Sequence, residues 1–164
     1  NAEKAAGKMY TDTQERESSV SSNGEESAQN NLNGINILLV EDNDLNMEIA
    51  EFYLSDRGAM IEKAWNGQEA VEIFKKSRPD EFDVILMDIM MPIKNGYEAA
   101  KMIRALDRDD AKTVPIIAMT ANAFTEDRLK SKESGMNEHI AKPIDAKLLV
   151  KVISEFVENK EEDS

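Results

Sequence analysis

Cysteine is absent from these 164 residues, which excludes disulfides, thiolate metal sites and cysteine nucleophiles. Histidine occurs once, at His139, so a histidine-rich zinc site and most histidine relays are excluded as well. Basic charge is scarce: 20 Lys and Arg stand against 33 Asp and Glu, a net charge of −13. That balance opposes non-specific binding to nucleic acid or to an anionic membrane surface, and it leaves cation binding open. Long apolar runs are missing; none approaches the roughly 20 residues of a membrane span. No basic-then-apolar leader opens the chain, which starts at Asn1 and is expected to be a piece of a longer protein. What is present is 41% hydrophobic residues, enough for one core in a domain of ordinary size.

Residues 1–33 are rich in Ser, Asn, Glu and Gln and poor in large aliphatics. Such a stretch cannot bury enough apolar area to offset its ordering entropy, so it reads as a linker or a disordered tail. The folded part is expected over 34–158, with 159–164 as a polar tail.

Inside the folded part, short apolar runs alternate with helical patterns. Strands are predicted at 35–40, 59–64, 82–87, 114–119 and 139–141. Helices are predicted at 43–57, 68–77, 97–106 and 126–133, and a last one carries Leu149, Val152, Ile153 and Phe156. In the first helix, Leu45, Ile49 and Phe52 have the spacing of one inward face, and Gly58 ends it. In the second, Ala70, Val71, Ile73 and Phe74 are expected to face inward. The helix at 126–133 is thinly apolar and is expected to be loosely held. Five β and five α segments in strict alternation, with continuously apolar strands, predict an α/β fold. It is a three-layer, doubly wound (βα)5 unit with a five-stranded parallel sheet, flavodoxin-like in class.

In such a sheet, ligands bind beyond the carboxyl ends of the strands. There the sequence places Glu41 and Asp42 after the first strand, Asp88 after the third, Thr120 after the fourth and Lys142 after the fifth. Three carboxylates crowded together repel, and a divalent cation relieves them. All-oxygen ligands suit Mg²⁺. A phosphoryl group could then be shared among the metal, the Lys142 ammonium and the Thr120 hydroxyl. Asp88, ending the most apolar strand, is the expected nucleophile, forming an acyl phosphate.

Four stretches carry a resemblance to a known family: Leu39–Asn43, Leu86–Gly96, Ile117–Ala123 and Gly135–Pro143. Together they resemble the response-regulator receiver domain of two-component and phosphorelay signalling. The resemblance implies that Asp88 is the phosphoacceptor, and that Asp42, Asp88 and the Met90 carbonyl bind Mg²⁺. It makes Glu41 a metal support acting through water, Thr120 the switch hydroxyl and Lys142 the phosphate-binding cation. The Lys142–Pro143 bond is commonly cis in the family. Many receivers carry Tyr or Phe three residues before the lysine, a ring that swings during switching; here it is His139. Flanking positions such as Met90 and Asn122 tune dephosphorylation in the family.

The stretches around Asp42–Asn46 and Met119–Ala123 resemble the subtype found in hybrid sensor histidine kinases. The implied partners are a histidine kinase core or a histidine phosphotransfer protein, with no nucleic acid and no direct membrane contact. A monomer or weak dimer, in the cytoplasm, is expected, with room for a membrane anchor in the parent. The domain catalyses chemistry only on itself. Phosphorylation is expected to shift the face built by helix 126–133, the fifth strand and the last helix. A stand-alone response regulator is the alternative within the class. From another class, a small doubly wound phosphatase or flavin-binding protein stays open.

Overall fold

The computed structural model describes residues 31–163 apart from 92 and 122–124, so most of the expected linker and Asn122 lie outside the described residues. The chain runs β1 (Asn36–Val40), α1 (Asp44–Ser55), β2 (Met60–Ala64), α2 (Gly67–Lys76) and β3 (Val84–Asp88). It continues through α3 (Gly96–Arg104), α4 (Asp109–Thr113), β4 (Ile116–Thr120), α5 (Thr125–Glu133), β5 (Glu138–Ala141) and α6 (Ala146–Asp163). All strand pairs are parallel, in the order β2-β1-β3-β4-β5. This is the doubly wound sheet expected from the sequence.

The order follows from burial. β3 and β4 are buried at every position, and β1 at every position after Asn36, so they occupy the centre. β2 and β5 keep exposed residues and form the edges. Helices cover both faces of the sheet, giving two cores. One is built on Leu38, Val40, Ile85, Met87, Ile116 and Ala118, with α2 and α3 over them. The other is built on Ile37, Leu39, Leu86, Ile117 and Met119, with α1 and α6 over them. Residues of one strand alternate between the two cores, as the two-residue period of a strand requires.

The structure corrects several expectations. The α/β alternation is not strict, because α4 intervenes between α3 and β4. Its first turn carries Asp109 and Asp110, which suit a helix N-terminus, and Ala111 anchors it in the core. Leu32, assigned to the linker, is fully buried in the second core, and its N–H donates to Arg57 O at 2.9 Å. At the other end, α6 passes the expected limit at 158 and continues through Asp163. The run of Glu and Lys there has good helix propensity.

The phase of α1 is the largest correction. Its inward face is Met47, Ala50 and Leu54. Leu45 and Phe52 point outward, 64% and 65% exposed, and Ile49 is also exposed. Two stripes on this helix have apolar spacing. The one containing the small Ala50 lies closest to the sheet, and the bulkier stripe faces solvent. In α2 the expectation holds: Ala70, Val71 and Phe74 are buried and Ile73 packs beside them. Past α1, Gly58 has φ +96°, a left-handed turn, and a Cβ there would run into the Asn33 side chain.

Candidate functional site

The strand order alone brings the chemistry together. β1 and β3 are neighbours, β3 pairs with β4, and β4 with β5. Register sets Asp88 beside Met119, and Thr120 beside Ala141. Glu41, Asp42, Asp88, Thr120 and Lys142 therefore share one edge of the sheet, as the sequence predicted, although they come from four separate segments.

Carboxylate oxygens of Glu41, Asp42 and Asp88 lie within 4.8 Å of one another. Asp42 is exposed, whereas Glu41 and Asp88 are buried. Lys142 Nζ reaches between the buried pair, 2.9 Å from Glu41 Oε2 and 3.1 Å from Asp88 Oδ1. The other Glu41 oxygen accepts from Asn43 N–H at 3.3 Å. Glu41 is thus a 1%-exposed member of a charge cluster.

Local structure fixes each group. Asp88 is the last residue of a fully buried strand. Behind it, Gly96 N–H donates to Ile89 O at 3.0 Å, and a Cβ on Gly96 would strike Asp88 O. Glycine there lets α3 start hard against the end of β3. Asn95 and Glu98 form a reciprocal capping box that holds this start. Lys142 is placed by its own N–H, which donates to Thr120 O at 2.7 Å, and the Lys142–Pro143 bond is cis. Thr120 is buried at the end of β4.

The electrostatics are those of a site short of positive charge. Burial, followed by the Glu41 charge, pushes the Asp88 carboxyl up from 3.8 to about 7, against the opposing pull of Lys142. Burial draws Lys142 down, but its contacts with Glu41 and Asp88 together outweigh that and raise it. One ammonium contacts two of the three clustered carboxylates, Glu41 and Asp88. The donor set is all oxygen, clustered and in need of a further cation, so it fits a hard divalent ion such as Mg²⁺.

Met90 lies on the same rim, two residues past Asp88, with its side chain 74% exposed. His139 sits half-buried on β5, and Arg128 Nε of α5 donates to its Nε2 at 2.7 Å. Its ring is tied to α5, a partner that sequence spacing did not reveal. α5 is also held by Lys130, whose ammonium stands 4.8 Å from the Tyr97 ring centroid. Beyond it, Arg104 donates to Gly135 O at 2.7 Å and to Asn137 Oδ1 at 2.9 Å. Leu129 of α5 is exposed, so polar ties do much of the anchoring, in line with the thin apolar pattern of this helix.

Comparisons with known proteins agree with this geometry. A family model described as the response regulator receiver domain matches residues 37–154. Hybrid signal transduction histidine kinase I of Dictyostelium discoideum is 37% identical over 142 residues, covering 82% of this chain and 8% of that protein. The peroxide stress-activated histidine kinase mak1 of Schizosaccharomyces pombe is 37% identical over 122 residues, 74% of this chain and 7% of its own length. The chain therefore spans less than a tenth of these two relatives. Among solved structures, the receiver domain of sensor histidine kinase PA1611 from Pseudomonas aeruginosa superposes with a TM-score of 0.69 at 37% identity. The match covers 76% of this chain and 98% of that one, which carries a magnesium ion coordinated in its active site cleft. The receiver domain of Ssk1 from Saccharomyces cerevisiae, crystallised with the histidine phosphotransfer signaling protein Ypd1, matches with a TM-score of 0.69 at 34% identity. There the coverage is 77% of this chain and 90% of that one.

Proposed function

Since this chain belongs to the response regulator receiver family, we propose that Asp88 accepts a phosphoryl group from a partner's phosphohistidine in a Mg²⁺-dependent phosphorelay. The observation that carries this is the cluster of Glu41, Asp42 and Asp88 oxygens with Lys142 Nζ set 3.1 Å from Asp88 Oδ1. A nucleophilic carboxylate and a phosphate-binding cation are already adjacent. Membership of the family displaces the phosphatase and flavin alternatives.

Asp42, Asp88 and the Met90 carbonyl would hold the metal, with Glu41 as a support. Bound there, the ion neutralises the carboxylates and offsets charge on the transferring phosphoryl oxygens. A carboxylate oxygen of Asp88 attacks phosphorus as the phosphorus–nitrogen bond of the donor imidazole breaks. The imidazole leaves with its electron pair and takes a proton from solvent. Lys142 pairs with a phosphoryl oxygen of the resulting acyl phosphate, and the Thr120 hydroxyl donates to another. Both Lys142 and Thr120 then have reason to move from their present partners. That movement passes to β5, α5 and α6, with His139 and its Arg128 contact in the path.

The parent is a hybrid histidine kinase in this reading, supported by the two kinases that match at 37% identity. The partner is a histidine phosphotransfer protein or the kinase core, supported by the Ypd1 complex of the Ssk1 receiver. The site faces the cytoplasm, and no helix among the described residues is long and apolar enough to cross a membrane.

The test is intact mass after incubation with acetyl phosphate and Mg²⁺, beside Asp88→Asn and a metal-free control. One added phosphoryl group that needs both Asp88 and Mg²⁺ supports the proposal. A gain that survives Asp88→Asn refutes the assignment of the acceptor.

A further inference from the structure

The contact between Arg128 and His139 exists for only one charge state of the ring. Arg128 Nε–H donates to His139 Nε2 at 2.7 Å, so that nitrogen offers its lone pair and carries no hydrogen. The neutral ring must then hold its hydrogen on Nδ1. Arginine stays charged throughout the working range, so the donor cannot withdraw its proton. Only the imidazole can end the contact. A proton on Nε2 removes the lone pair and sets a second positive charge against the guanidinium.

The fold gives this contact a place in the movement of α5. Ile140 enters the core beneath α1 and α6, so its neighbour His139 projects from the other face of β5, toward α5. Register sets His139 beside Ala118 and Ala141 beside Thr120, so the ring and Thr120 are carried by the same pair of strands. α5 is held unevenly. Its carboxyl end is fixed: Met136 is buried, its N–H donates to Ser131 O at 3.0 Å, and Arg104 donates to Gly135 O at 2.7 Å. Arg128 ties the earlier part of the helix, where the next residue, Leu129, is exposed.

Among the described residues, few charged groups surround the ring. Arg128 and Lys132 of α5 line the same depression, as does Glu138 of β5. β4 contributes the uncharged Ala118. Lys142, three residues further on, is engaged by Glu41 and Asp88. Glu138 Oε1 is turned to the backbone and accepts from His139 N–H at 3.0 Å. The two α5 cations oppose a charge on the imidazole, and the one carboxylate favours it.

We infer that Arg128 and His139 form a proton-operated latch on α5, closed while the ring is neutral, opened by a proton on Nε2, and linked to the state of Asp88. The link, though not the latch itself, rests on the reading of Asp88 as acceptor. Movement of β5 and α5 on phosphorylation parts the pair and returns the Nε2 lone pair to solvent. The phosphorylated domain then binds a proton at His139 more tightly than the resting one. Reciprocity requires that a proton there favour the parted arrangement by the same factor.

The experiment follows His139 by nuclear magnetic resonance in the whole chain, where the single histidine gives one imidazole to observe. In the resting wild type the neutral ring is expected as the Nδ1–H tautomer, read from its nitrogen shifts. Arg128→Ala should erase that preference and raise the titration midpoint by about half to one pH unit, the worth of one hydrogen bond. Lys132→Ala removes an equal charge without the bond and should move the midpoint less. An Nε2–H ring in the resting wild type overturns the latch, and so do equal shifts in the two variants. Beryllofluoride with Mg²⁺ should raise the wild-type midpoint to that of Arg128→Ala and leave the variant's own midpoint in place. Beryllofluoride bound, as seen by its fluorine signal, with an unmoved wild-type midpoint overturns the link and leaves the acceptor reading intact. Absence of bound beryllofluoride overturns the acceptor reading and the link together, and the latch is still decided by the tautomer and by Arg128→Ala.

Discussion

Lys142 Nζ and Glu41 Oε2 meet at 2.9 Å across a sequence separation of 101 residues. The same ammonium lies 3.1 Å from Asp88 Oδ1, so one cation serves two buried carboxylates. This sharing sets the balance of the site. A further positive charge stabilises it, and removal of one carboxylate does the same.

Asp88→Asn should therefore stabilise the metal-free protein at pH 7.5 while abolishing phosphorylation. The Asp88 carboxyl is held at about 7, against 3.8 for the free group. At about 1.36 kcal/mol per unit, ionising it in the fold costs up to about 4 kcal/mol. Urea unfolding in chelator should show the gain in midpoint. An unchanged or lowered midpoint would mean that Lys142 already compensates Asp88.

The pH dependence follows with a definite sign. Because the folded value is raised to about 7, the native state keeps a proton that the unfolded chain loses near 3.8. The Asp88 contribution to stability is thus favourable at low pH, declines as pH rises from about 4 to 7, and is level above that. Mg²⁺ competes with that proton. Its affinity should climb as pH rises toward 7 and then level off, with proton release on binding. Calorimetric titration in two buffers of different ionisation enthalpy measures this directly.

Glu41→Gln keeps the shape of a buried side chain and removes its charge. Mg²⁺ affinity should fall about tenfold, the usual effect of altering a group that supports metal ligands. Asp88 should also become easier to ionise, since the Glu41 charge helps to raise it. A Mg²⁺ affinity equal to wild type would remove Glu41 from the metal site.

The phase of α1 is tested by stability. Leu54→Ala should cost about 2–5 kcal/mol, because Leu54 is fully buried in the core. Phe52→Ser should stay within about 0.5 kcal/mol, because most of that ring is in solvent. Equal losses at the two positions would contradict the observed face.

Phosphorylation should change amide exchange most in α5 and β5. α5 is tied by Lys130 to Tyr97 and by Arg128 to His139, with its Leu129 exposed. Such an element opens at a low free energy and responds to a small bias. Exchange is measured with and without a phosphoryl mimic, beryllofluoride. Identical protection of Thr125–Glu133 in the two states would contradict this switch.

Much of this was legible in the sequence. Continuous apolar runs closed by Asp88 and Thr120 named the strands and placed the polar residues at their ends. Those signals are local: a strand buried on both faces must be apolar throughout, and a residue just past it must lie at the sheet edge. The convergence of Asp88, Thr120 and Lys142 on one edge also followed from the alternation of strands and helices.

Other features were decided by tertiary structure. Two apolar stripes on α1 fit the helical period equally well, and only packing chose Met47, Ala50 and Leu54 over Leu45, Ile49 and Phe52. Leu32 looked like linker because its neighbours are polar, yet one side chain in reach of a core is enough to extend the fold. The burial of Glu41, its ion pair with Lys142 and the tie of Arg128 to His139 depend on distances between remote segments. Composition and spacing specify which groups reach an edge. How many charges share one buried volume, and which cation answers them, is set by the folded chain, because burial and Coulomb interactions depend on separation in space.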